Sequence, residues 1–308
     1  MRVRFNHNPL FSIFFVGSLF LLVALHSFVP AQSRSGGGGP RTMTLNIIAQ
    51  APEGKAVTKD MFDLYDTGAP QEILSFSKLD SGSRIVLMVD NSQNLRAEPA
   101  ALQKAVLAII NELYEDDQMM VVGYNENAEI IEDMTPDLSK LKTVSTKFVR
   151  KGFPNLYDAL IAVSDALSHD AKTGLEKRAI ILISDGYDSE SKTKFDDTLA
   201  ALQEENILLY AIQTQDRTRG SLLRDKPKPP AALEQLTTGT GGAVFSFAKI
   251  EDAAKAISEE LRKNWYRLVY SPSGVDPIKI RRFLIISHDK AVKLRTKGTH
   301  PPRFRKSL

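Results

Sequence analysis

"RIVLMVDNSQNLR", residues 84–96, sets five consecutive apolar residues, Ile85 to Val89, directly before Asp90. A strand without polar alternation is the signature of a sheet covered on both faces, the arrangement of parallel strands flanked by helices. The turn behind it carries Asp90, Ser92 and Asn94 at alternate positions. Such a turn is compatible with three uses: oxygen ligation of a metal ion, a phosphorylatable aspartate, or the cap of the next helix.

The same rhythm continues outward. "EPAALQKAVLAIINELYE" has Pro99 at a first turn and Leu102, Val106, Ile109, Ile110 and Leu113 on one face, which predicts a helix. "DQMMVVGYN", "RAIILISDG" and "ILLYAIQT" predict further strands. "NLYDALIAVSDALSH", "KFDDTLAALQEEN" and "IEDAAKAISEELRKNW" predict helices between and after them. Apolar strands alternating with helices imply a doubly wound, mostly parallel α/β sheet over residues 84–262. "QDRTRGSLLRDKPKPP", residues 215–230, interrupts the alternation and reads as a polar surface insertion.

The two ends read differently. "MTLNIIAQA" and "QEILSFSKL" predict strands within 43–80, with "VTKDMFDLYDTGAPQ" between them as a short amphipathic piece closed by a glycine turn. From Trp265 to residue 299 only strands are expected, in "WYRLVYS", "IKIRRFLIIS" and "AVKLRTK". Chain ends of a domain tend to lie close together, so these strands are expected to pair in a small β-rich flank. A basic tail, 300–308, follows.

Ligands of an open parallel sheet sit beyond the carboxyl ends of its strands. Two strands here end in aspartate, at Asp90 and Asp185. If they are neighbours, Asp90, Ser92, Asn94 and Asp185 form an all-oxygen cluster of the kind that suits Mg²⁺ or Mn²⁺. Ordinary strand-to-helix and Asp-Gly turns account for either motif taken alone.

Together with "NLYDAL" between them and "ILISDGYDSES" around the second, the two motifs resemble the von Willebrand factor A domain. More narrowly, "VTKDMFDLYDTGAPQEILSFSKL", "YRLVYSP" and "KLRTKG" resemble exported bacterial proteins with a VWA-related domain, of the kind abundant in acidobacteria. The resemblance spans nearly all of residues 43–299. It implies an ion-dependent adhesion site built from Asp-x-Ser-x-Ser, a loop threonine and a later aspartate. On this chain those positions are Asp90, Ser92, Asn94, Pro154 and Asp185, so Asn94 and Pro154 depart from the pattern. The implied activity is protein binding, with a bound ion accepting an acidic group of the partner. The rim of the implied site holds Phe153, Pro154, Asn155, Tyr187 and Asp188.

Several chemistries find little support. Of the five histidines, His7 and His26 fall in the expected export segment, and His169, His288 and His300 are far apart and form no zinc motif. "TGTGG", residues 238–242, lacks the Lys-Ser of a phosphate loop and reads as a helix stop. "DNSQN" lacks the second acid that holds Mg²⁺ beside an aspartyl nucleophile. A binding module is therefore expected rather than an enzyme. The alternatives are a metal-assisted hydrolase using Asp90 and Asp185, or a metal-free scaffold.

"MRVRFNHN" followed by the uncharged run 9–29 predicts an export signal over residues 1–31, cleaved after Ala31 or retained as a single membrane anchor. "SRSGGGGPR" lies within a flexible linker, 32–42. The mature chain is then expected in the periplasm or secreted, with no access to cytoplasmic ATP. It has no cysteine, which excludes disulfides and thiol chemistry. From Arg262 onward only Asp276 and Asp289 offset many Lys and Arg. Without aromatic platforms this reads as a solvated basic face, and no nucleic-acid partner is expected.

Overall fold

The alternation of β5 (Ser83–Asp90), α1 (Pro99–Asn111) and β6 (Gln118–Tyr124) places the second parallel strand beside the first, and every residue from Ile85 to Asp90 is buried. The computed structural model describes residues 42–169, 177–221, 226–276 and 278–302. All belong to one compact unit, Pro40–Leu308. The expected export signal and nearly all of the linker lie outside the described residues, as does most of the basic tail. Among the described residues no helix is long and apolar enough to cross a membrane.

In chain order the elements before β5 are β1 (Met43–Gln50), β2 (Phe62–Asp66), β3 (Ala69–Gln71) and β4 (Ile73–Lys78). After β6 come β7 (Ala128–Thr135), α2 (Leu138–Thr143), α3 (Leu156–His169), β8 (Lys177–Ser184), α4 (Phe195–Glu204) and β9 (Leu208–Gln213). Then follow α5 (Pro229–Thr240), β10 (Val244–Ser246), α6 (Ile250–Lys263), β11 (Trp265–Tyr270), β12 (Arg281–Ser287), β13 (Lys293–Arg295) and β14 (Thr299–His300).

The main sheet has six strands in the order β10-β9-β8-β5-β6-β7, parallel except for the β6–β7 pair. Ile85, Leu87 and Val89 face one core with α1, α2 and α6, while Val86 and Met88 face the other with α3, α4 and α5. This is the doubly wound α/β fold expected from the unbroken apolar strands. From β5 the chain winds first toward β6 and then returns to β8 on the other side. The direction therefore reverses between β5 and β8, the place where open sheets of this kind form a crevice beyond their carboxyl ends.

The two chain ends build the flank. One antiparallel sheet has the order β13-β1-β11-β4, the other β14-β12-β2-β3. Leu45, Ile47, Leu64, Leu268 and Tyr270 fill the core between them. Ile48 and Trp265 point the other way into the main core, so the flank is packed onto the α/β domain. The segment expected as an amphipathic piece between two strands is instead the hairpin β2–β3. Its period is two, with Phe62, Leu64 and Asp66 buried while Asp63 is exposed. Thr67 and Gly68, with φ of 52° and 84°, make the tight turn such a hairpin needs. Three alternating residues are too few to distinguish from a helical face by pattern alone.

Candidate functional site

Because β5 and β8 are hydrogen-bonded neighbours, with Val89 opposite Ile183, the residues that end them meet at the switch point. Asp90 and Asp185 are both fully buried there, as is Ser92. The Asp90 Oδ1 accepts hydrogen bonds from the Ser92 amide at 3.0 Å and the Ser92 hydroxyl at 2.5 Å. The Asp185 Oδ1 accepts one from the Tyr187 amide at 3.1 Å. Gly186 turns the chain at φ 85°, where a Cβ would stand 2.2 Å from the Pro229 carbonyl oxygen, so only glycine fits between Asp185 and α5.

The remaining oxygens of the pair face a cation from the chain itself. Arg217 donates from Nε to Asp185 Oδ2 at 2.7 Å, from Nη2 to Asp185 Oδ1 at 3.0 Å and from Nη1 to the Ser92 hydroxyl at 2.7 Å. Its Nη2 also pairs with Asp90 Oδ2. Its backbone N–H adds a bond to Asp185 Oδ2 at 2.9 Å. The Arg217 side chain is only 8% exposed, and its Cζ lies 5.4 Å from the centre of the Tyr187 ring. Such fork-shaped, charge-assisted contacts are stronger and more directional than a lysine could make.

Burial pushes the Asp90 carboxyl above its usual range, with Arg217 and the Ser92 donors pulling it back. Burial also works against the charge on Arg217, but Asp90 and Asp185 outweigh it and raise its affinity for the proton. Beneath them Tyr124 donates to the Ser184 hydroxyl at 2.8 Å, and its own proton is held tightly by burial and by Asp90.

A short turn presents the arginine. Asp216 accepts from the Thr218 amide and hydroxyl, each at 2.8 Å, and from the Gly220 amide at 3.0 Å. Burial opposes the charge on Asp216, yet these donors outweigh it and hold its carboxyl below the usual range. Upstream, Gln215 pairs with Arg96 as an isolated bridge. The stretch expected as a surface insertion thus sends one residue to the buried aspartate pair.

The other expected positions separate into groups. Asn94 is exposed and makes none of the contacts that tie Asp90, Ser92, Asp185 and Arg217 together. Pro154 is buried and its carbonyl already accepts from the Ser189 amide at 2.7 Å. Asn155 bridges loops, donating to the Glu126 carbonyl at 3.3 Å and accepting from the Glu190 amide at 3.1 Å. Asp188 is buried and satisfies the first turn of α3, taking the Tyr157 amide at 3.2 Å and the Ser191 hydroxyl at 2.5 Å. Lys226 balances its charge at 2.6 Å. Phe153 is 48% exposed, on a loop whose Lys151 amide and Gly152 carbonyl are hydrogen-bonded to Asn91 and Gln93. Tyr187 is partly exposed beside Arg217.

A divalent ion at Asp90, Ser92 and Asp185 would need the lone pairs that the guanidinium takes. Mg²⁺ asks for about six oxygens in a tight shell, and with Arg217 seated the residues present do not fit one. Sequence reading passed over Arg217 because a single arginine in a polar loop has no period. The available signal was its place, a few residues past the end of β9, the strand next to β8.

No curated protein matches the chain. Among solved structures, similar folds include an aerotolerance-related membrane protein from Bacteroides fragilis, with 14% identity over 59% of this chain and all of that one, at a TM-score of 0.47. BatB from Bacteroides thetaiotaomicron has 16% identity over 59% of this chain and 98% of its own, with a TM-score of 0.46. A von Willebrand factor type A protein from Catenulispora acidiphila has 12% identity over 87% and 74%, with a TM-score of 0.49. Residues 85–187 match the family model described as the von Willebrand factor type A domain. That stretch runs from β5 to just past Asp185 and supplies both aspartate-bearing strand ends, so this chain contains a von Willebrand factor type A domain.

Proposed function

We propose that this chain is an exported protein-binding module that meets its partner at the carboxyl edge of the main sheet. The von Willebrand factor type A fold is commonly a protein-interaction module, and the site contains the kind of anchor such a role uses. Phe153 carries the reading: a half-exposed aromatic on the loop whose Lys151 amide and Gly152 carbonyl are hydrogen-bonded to Asn91 and Gln93, in the turn that follows Asp90. Aromatic side chains at a fixed position, rimmed by polar groups, tend to dominate binding energy. Tyr187 on the neighbouring loop extends the same rim.

Binding without chemistry accords with the state of the carboxylates. A hydrolase would need one of them free as a base, whereas both are committed to Arg217. Export rests on the N-terminal sequence, and the mature chain acts in the periplasm or outside the cell.

A photo-crosslinking residue placed at Phe153, with a control at exposed Asp116 on the opposite end of the sheet, tests the surface in the living cell. One partner captured at 153 and absent at 116 is the expected result. Capture at 116 with none at 153 would overturn the assignment of the face.

A further inference from the structure

We propose that Arg217 is the resident cation of the crevice, standing where this fold's divalent ion would stand, and that arginine and ion are mutually exclusive occupants of one oxygen cluster. The chain supplies its own counter-charge and engages partners without a metal bridge. This goes beyond the proposed binding role, which could hold with or without an ion.

The argument is one of matching donors to lone pairs. A guanidinium has five N–H donors and no acceptor. Here it meets both oxygens of Asp185, one of Asp90 and the hydroxyl of Ser92, and all three of its nitrogens are engaged. Two fully buried carboxylates this close repel each other unless a cation lies between them. Arg217 lies there, almost wholly buried. The positions that depart from an ion site give the same answer from the other side. Pro154 offers no side-chain oxygen and its carbonyl is already hydrogen-bonded, while Asn94 is exposed. Losing two of five ligands weakens an ion site, but an arginine loses nothing, because its fork needs only the carboxylates and one hydroxyl.

The arrangement also places the cation on a turn rather than on a strand. Arg217 sits in the turn built by Asp216, Thr218 and Gly220, beyond the last hydrogen-bonded residue of β9. Truncating it leaves the sheet intact and uncovers Asp90, Ser92 and Asp185 together.

The test uses the mature chain, Mn²⁺ and a chelator. With wild-type protein the electron paramagnetic resonance signal of free Mn²⁺ is expected to be undiminished, and the thermal midpoint is expected to be the same in Mn²⁺ and in EDTA. Arg217→Ala is expected to lose about 10 °C in EDTA, to recover part of it with Mn²⁺ and to quench the Mn²⁺ signal. Adding Asp185→Asn to Arg217→Ala is expected to restore stability in EDTA and abolish the response to Mn²⁺. Mn²⁺ binding by wild-type protein that disappears in Asp90→Ala would overturn the proposal, and that measurement stands even if Arg217→Ala fails to fold. So would an Arg217→Ala protein as stable as wild type in EDTA, or one destabilised without any gain in Mn²⁺ binding.

Discussion

Two regions of this molecule bury an arginine against aspartate, and they do it differently. In the flank, Arg281 on β12 reaches Asp66 on β2 at 2.5 Å, and Asp66 also accepts from the Tyr270 hydroxyl at 2.7 Å and the Thr67 hydroxyl at 3.0 Å. All of these residues are on, or at the end of, antiparallel strands fixed by their ladders. At the crevice, Arg217 serves two carboxylates and comes from a turn. The flank pair is a contact of charge, since Arg281 Nε and Nη2 have no acceptor in hydrogen-bond alignment. The crevice arginine has every nitrogen aligned. The same pairing therefore acts as a strut where strands hold both partners and as a replaceable plug where a turn holds one.

The largest expected effect is at the plug. Arg217→Ala removes the counter-charge of two buried carboxylates and should cost about 3–5 kcal/mol in chelator, measured by denaturant unfolding. Part of this should return with Mn²⁺. Arg281→Met should also cost about 3 kcal/mol, with no response to Mn²⁺, because among the described residues Arg281 pairs with the single carboxylate of Asp66 and no group of three or more metal-ligating side chains is found. Equal responses of the two variants to the ion would erase the distinction between strut and plug.

A third buried cation sharpens the comparison, because no carboxylate among the described residues is paired with it. Lys297 donates to the Gln203 carbonyl at 2.8 Å and the Asn206 amide oxygen at 2.6 Å and meets His300 at 3.1 Å, with Glu204 acting only through space. Burial lowers its pKa to about 7. In the unfolded chain the amine keeps its proton up to about pH 10.4. Between these values the unfolded state binds more protons than the folded one, so stability rises with pH from about 7 upward. The slope should be about 1 kcal/mol per pH unit between pH 7 and 9, and Lys297→Met should flatten it. A slope unchanged in the variant would assign the effect elsewhere.

The smallest expected change in stability is at the rim. Phe153→Ala should alter unfolding free energy by less than about 0.5 kcal/mol, since the ring is half exposed and lies on a loop. The same substitution should abolish capture of a partner by a photo-crosslinking residue placed at Tyr187, partly exposed on the neighbouring loop. A large loss of stability would instead make Phe153 part of the core and remove the anchor from the proposed binding face.

Much of this was legible before any coordinates. The apolar runs ending at Asp90 and Asp185 announced a covered parallel sheet, because a strand buried on both faces has no position for a polar side chain. The helical spacing in α1 and α3 was equally plain, with Leu102, Val106 and Ile109 in one and Leu156, Leu160 and Val163 in the other. Hairpin β2–β3 was less legible, since its buried face includes the polar Asp66, whose partners come from residues about two hundred positions away.

By itself, then, the sequence determined what repeats: the strand and helix periods, the doubly wound sheet, and the two aspartates that such a sheet must present at its carboxyl ends. Tertiary structure alone decided what neutralises them. Arg217 lies 127 residues from Asp90 and 32 from Asp185, on a turn with no period to read. It became the crevice's cation only when the strand order put β9 beside β8 and β8 beside β5. Charge pairing in a buried site depends on distances of a few ångströms, and those are set by which strands are neighbours rather than by which residues are adjacent in the chain.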